Sequence, residues 1–188
     1  MLYLSKGVVC KNSTDDKLRI VRGNTVITIS GMEAEVWLKG RFAMTTFAGD
    51  SNRADTVKRL AGKGLAEYEE RSDPVGQYRI LSRCICCPAK FGLFNKPLSK
   101  TERAVLEWLT KSGIRLSTAE LIFLAENKIK PIPSMLYEEN RQTLIETIYT
   151  KNNIFDNILE NQMEKANCRD DIVAVLLRLL YKKRIVML

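Results

Sequence analysis

The chain has 188 residues, 30 basic and 22 acidic, with no histidine and a formal net charge of +8. That length fits one large domain or two small ones, and a 45 % apolar composition is enough for a packed core. Without histidine, Ser–His–Asp and Cys–His catalytic sites, HExxH zinc sites and Cys₂His₂ fingers are excluded. Any general base would be a carboxylate, Lys, Tyr or Cys with a shifted pKa.

The N-terminal portion reads as strands. Leu18–Arg22 and Thr25–Ser30 flank Gly23-Asn24, the two-residue chemistry of a β-hairpin. Residues 33–44 carry Val36, Trp37, Phe42 and Met44 among charges and read as a short amphipathic helix; 45–50 read as a loop. A helix over 51–63 starts with N-cap types at Ser51 and Asn52. Ala54, Val57, Leu60 and Ala61 share one of its faces and Asn52, Thr56, Arg59 and Lys63 another, and Gly62-Lys63-Gly64 stops it. Residues 65–71 read as a strand, 72–76 as a turn and 77–83 as the return strand. Residues 91–97 read as a linker.

The second half reads as almost all helix. Ser99 and Glu102 form a capping box, Ser117 caps a helix over 118–127, and Lys130-Pro131-Ile132-Pro133 breaks the chain. Helices are expected near 138–150 and 153–165. The last covers 170–181, and a strand-like tail follows to Leu188.

The N-terminus lacks a basic region followed by a long apolar stretch, and the run Ile172–Leu177 is broken by Arg178. A soluble, cytoplasmic protein with no membrane partner is expected. Five cysteines, an odd number, argue against a secreted disulfide framework. Cys84 and Cys86 would share a strand face, with Cys10 as a third neighbour. The absence of a C-x₂-C pair favours core thiols over a metal site, and no metal or cofactor is expected. Gly62-Lys63-Gly64 is not a phosphate loop, because it follows a helix and no Ser or Thr succeeds the Lys.

The stretch Val57-Lys58-Arg59-Leu60-Ala61-Gly62-Lys63-Gly64-Leu65-Ala66-Glu67-Tyr68, with Gln77-Tyr78-Arg79-Ile80 after it, resembles the recognition helix and wing of the winged-helix superfamily. Residues 98–109 resemble the first helix of a winged-helix or MarR-like domain, and 171–185 a third helix with its wing strand. The resemblance implies a helix-rich α+β fold of tandem winged-helix-like domains: 1–90 with its N-terminal hairpin, and 98–188 with extra helices.

A DNA-reading helix needs an apolar face for its core and an opposite face of donors. The helix at 51–63 offers Ser51, Asn52, Arg53 and Thr56 at its start and Arg59 and Lys63 for phosphates; Arg71 and Arg79 flank the wing at 66–83. The first reading is therefore a non-enzymatic transcriptional regulator that binds double-stranded DNA. The apolar central helices, with Leu144, Ile148 and Phe155, would make it a homodimer. The alternative is a protein- or peptide-interaction module on the same scaffold, with an exposed sheet edge as its docking surface. Two features favour that alternative: there is little room for a helix between Met44 and Ser51, and 67–70 is acidic.

Overall fold

The computed structural model describes residues 1–14, 17–47, 49–89, 97–111, 116–118, 121 and 168–188. It is a mixed α+β structure, built from three small sheets and five helices among those residues. The expected helices over 138–150 and 153–165, most of the one over 118–127, most of the linker at 91–97 and the central apolar residues proposed for a dimer lie outside them.

The hairpin forms as its turn chemistry predicts. Strands β2 (Val8–Val9), β3 (Lys17–Arg22) and β4 (Thr25–Ser30) make an antiparallel sheet in that order. Arg22 faces Thr25 across the turn, and Gly23 takes φ +57, the left-handed value a type II′ turn needs at its first central residue. The strand period of two sends Leu18, Ile20 and Ile29 inward.

Strand β1 (Leu2–Ser5) pairs antiparallel with β5 (Thr45–Thr46) and β6 (Ala66–Glu69). It is buried on both faces, so its alternation serves two cores. Tyr3 joins Leu18, Ile20, Trp37, Val57, Leu60 and Leu65. Leu2 and Leu4 join Tyr78, Leu81, Trp108, Leu176 and Met187. Helix α1 (Gly31–Gly40) is shorter than the expected 33–44, ends before Phe42 and Met44, and packs beside α2 (Ser51–Gly62) on the first core.

The expected wing at 66–83 is corrected. Residues 66–69 are strand β6, but their partner is β1, and Pro74–Ser82 is helix α3. Asp73 caps α3 by accepting from the Gly76 N–H at 2.9 Å, with Pro74 in the first turn. Tyr78 and Ile80, two apart, suggest a strand, but Tyr78 and Leu81 are three apart and all three are buried together.

Strand β7 (Ile85–Pro88) pairs with β8 (Leu116–Ser117) and with the tail strand β9 (Ile185–Met187). Helices α4 (Lys100–Lys111) and α5 (Cys168–Tyr181) cover the same core. The Ser99–Glu102 capping box closes as predicted: the Ser99 N–H donates to the Glu102 carboxylate at 2.8 Å and the Glu102 N–H to Ser99 Oγ at 3.1 Å.

The two sheets flanking this core share one topology. β5-β1-β6 and β8-β7-β9 each have the earliest strand in the centre, and among the described residues each follows the order strand, helix, strand, helix, strand, with the β2–β4 sheet inserted after β1 in the first. The last helix of each ends the same way. Gly64 (φ +68) donates to the Ala61 carbonyl and Leu65 to that of Leu60; Lys183 (φ +57) donates to Leu180 and Arg184 to Leu179. Both are the Schellman hydrogen-bond pair that turns a helix into a strand.

Candidate functional site

Helix α2 and its C-cap Lys63 carry six of the eight residues expected at a DNA interface. Its N-cap is Asp50, ahead of Ser51 and Asn52, and the Asp50 carboxylate accepts from the Arg53 N–H at 3.1 Å. Val57 and Leu60 are buried, as their spacing predicts. Thr56 is corrected from the donor face to the interior. It is fully buried, its Oγ1 donates to the Asn52 carbonyl at 2.8 Å and accepts from Arg59 Nη2 at 2.8 Å, and it lies 3.4 Å from Met32 Sδ. Helix α1 lies over that side of α2, so the face that a lone helical wheel leaves to solvent is partly a helix–helix contact.

The same packing sets acids of α1 against the bases of α2. Arg53 meets Glu35 at 3.1 Å and Asp50 at 3.3 Å; Arg59 lies 3.7 Å from Glu33; Lys63 Nζ reaches both Glu33 oxygens at 2.7 Å. The hydrogen bond from Lys39, then the charges of Lys39 and Arg53, hold the Glu35 carboxyl below the usual glutamate range. Ser51 and Asn52 are exposed on the first turn, and Lys58, which the sequence reading passed over, is exposed further along.

Arg71 and Arg79 are not brought to this surface as wing residues. Arg71 is ion-paired with Asp73, the cap of α3, and Arg79 is a half-buried residue of α3 whose carbonyl accepts from Ser82 Oγ and Arg83 Nε. The Gly76 N–H, then Arg71, holds the Asp73 carboxyl below its ordinary value.

Cysteine chemistry is confined by burial. Cys84 and Cys86 are buried side by side with core residues, and burial pushes the Cys84 thiol up to about 12, with Lys6 opposing. Cys86 Sγ lies 3.6 Å from Met187 Sδ. Among the described residues no group of three His, Cys, Asp or Glu side chains is placed to hold a metal. Among the described residues, too, no helix is long and apolar enough to cross a membrane.

The other candidate surface is the free edge of β4. Its sequence, Thr25-Val26-Ile27-Thr28-Ile29-Ser30, has no charge and no proline. Among the described residues no strand pairs with its outer side. The two-residue turn makes Arg22 and Thr25 a hydrogen-bonded pair, so the bonded pairs recur at Ile20–Ile27 and Leu18–Ile29. The backbone N–H and C=O groups of Val26 and Thr28 therefore point to the open side. Val26 is 49 % exposed, and it continues a row of valines with Val21 and Val8 across the outer face of the sheet. Nothing but pattern and topology marks this edge, which is why residue chemistry alone did not single out its members. A comparison of the chain with family models, with curated proteins and with solved structures finds no match.

Proposed function

We propose that the chain is a protein-interaction module that binds an extended, acidic segment of a partner by adding it as a fourth strand beside β4. The observation that carries this is an uncharged six-residue edge strand whose outward backbone groups, at Val26 and Thr28, pair with no strand among the described residues. Edges left open in soluble proteins are ordinarily blunted by Lys, Pro, a bulge or a covering element, and β4 has none of these among the described residues. Strand addition takes its affinity from such main-chain groups and its selectivity from alternate side chains. The net charge of +8 supports an acidic partner, since it speeds the approach of negative segments and repels a second copy of the chain.

Duplex DNA is the other partner that the charge suggests. Reading it with α2 would require Arg53, Arg59 and Lys63 to leave Glu35, Asp50 and Glu33, so the interaction-module reading is preferred. In that reading the winged-helix resemblance rests on α2 with β6, and on α5 with β9 as a second, tandem unit; α3 stands where a wing would be.

Selection from a randomised displayed-peptide library tests the proposal. Enriched sequences are expected to be acidic and alternating, and to protect the Val26 and Thr28 amides from hydrogen exchange. Thr28→Pro removes only an outward N–H and should weaken them at least tenfold while circular dichroism stays unchanged. A library that yields no binder, or binders indifferent to Thr28→Pro, would overturn the reading. Salt-sensitive binding of duplex DNA by the wild type alone would favour the regulator. Light scattering that shows a dimer broken by Thr28→Pro would assign the edge to a second copy instead.

A further inference from the structure

A cavity of about 370 Å³ opens where the N-terminal hairpin, the end of α1 and the β7–β9 pair converge. Its wall is largely aliphatic and aromatic: Val8 from β2, Val21 from β3, Phe42 after α1, Pro88 from β7 and Val186 from β9. The volume falls at the small end of the ~300–1,000 Å³ typical of ligand pockets, and an apolar wall with a few placed polar groups is their usual make-up.

The placed polar group is Arg41. It closes α1 as the C-cap residue, and its guanidinium carbon lies 4.6 Å from the Phe42 ring centroid and 5.5 Å from that of Trp37. Stacking on two rings fixes the plane of the group and strips water from it. Its Nε is buried and has no hydrogen-bond partner, and no carboxylate is ion-paired with it among the described residues. Burial alone lowers the Arg41 pKa, with no acid acting in the opposite sense. The C-terminal end of α1 attracts the positive charge but offers no acceptor to Nε. A half-buried cation without an anion costs free energy that an incoming carboxylate would recover through charge-assisted, bidentate hydrogen bonds.

We propose that this cavity binds a small apolar monocarboxylate, its carboxylate on Arg41 and its hydrocarbon part against Val8, Val21, Phe42 and Val186. A monoanion fits better than a phosphate ester. Among the described lining residues Arg41 is the only cation, whereas phosphate sites converge several donors on one group. Lys183 Nζ lies over the Phe42 ring at 5.4 Å and raises the local positive potential without lining the cavity. No residue of β4 lines the cavity, and its occupancy does not depend on the partner proposed for that strand.

Octanoate is a suitable probe, with octanol as the uncharged control of equal chain length. Cys87 is a lining residue outside any disulfide, and its thiol serves as reporter. Octanoate should bind saturably by ligand-observed NMR and slow alkylation at Cys87, mapped by mass spectrometry, while octanol binds at least tenfold more weakly. Arg41→Met should abolish the preference for octanoate over octanol. Widening Ala89, a second lining residue, to Trp should block both. Failure of octanoate to saturate, or equal binding of octanoate and octanol to the wild type, would overturn the proposal without any variant needing to fold. So would full retention of octanoate binding in Arg41→Met.

Discussion

Glu102 shows how much one side chain can carry here. It is almost fully buried, yet its carboxylate accepts from the Ser99 N–H, from Lys182 Nζ at 2.7 Å and from Arg178 Nε at 3.3 Å. Desolvation pushes its pKa up, but the Lys182 hydrogen bond, the Ser99 amide and the two positive charges outweigh it, and the carboxyl sits below the ordinary glutamate value. A carboxyl with a lower pKa folded than unfolded stabilises the fold above its unfolded value. That contribution disappears as pH falls through the folded one. Glu102→Gln should therefore cost about 2 kcal/mol at neutral pH, in keeping with a lost charge-assisted hydrogen bond between partly buried groups. Urea denaturation checks this, and the difference from wild type should shrink in acid, below the usual glutamate range. A difference that is independent of pH would assign the loss to packing instead. The capping half of this arrangement was legible from Ser99 and Glu102 because it spans three residues. Lys182 is eighty positions away, and no local pattern connects it to Glu102. Thr56 failed for the same reason: its burial is decided by α1, and no local signal announces that Met32 covers it.

At the scale of elements, local signals succeeded where they were unopposed. Gly23-Asn24 between two β-branched runs gave the hairpin and its register, and the Gly64 stop gave the end of α2. They failed at α3, where Asp73-Pro74 is both a turn pair and a helix start, and Tyr78 and Ile80 imitate a strand. The bases of α2 are ion-paired, and no local signal shows it, because the acids of α1 that answer them lie 18 to 30 positions away. This gives a second test of the DNA reading. Glu33→Gln releases Arg59 and Lys63 from their pairs at a cost of about 0.5 kcal/mol, since both basic partners are largely exposed. If α1 masks a basic helix, fluorescence anisotropy should show tighter, more salt-dependent binding of duplex DNA by Glu33→Gln than by the wild type. Equal and negligible binding by both would remove α2 from consideration as a nucleic-acid surface.

For the whole molecule, the question is whether 1–90 and 98–188 stand alone. The sheets β5-β1-β6 and β8-β7-β9 match in topology, but the second takes its central strand from the first half. The packing makes them interdependent. Strand β1 gives Tyr3 to one core and Leu2 and Leu4 to the other, β7 of the first half pairs with β9 at the end of the second, and the Gly7 N–H donates to the Met187 carbonyl at 2.8 Å. Separating the halves would expose Leu2, Leu4, Tyr78, Ile80 and Leu81, each worth roughly 1.5–3 kcal/mol of burial. The total would approach the whole stability of a domain this size. The two tryptophans report on the question directly, since Trp37 lies in one core and Trp108 in the other. In Trp37→Phe and Trp108→Phe variants the remaining fluorophore should unfold in urea at the same midpoint as the circular dichroism of the same protein. One cooperative transition would follow from the shared strand. Separate midpoints for the two reporters would mean that β1 can lose one core and keep the other, and that the boundary near residue 90 divides two independently stable units.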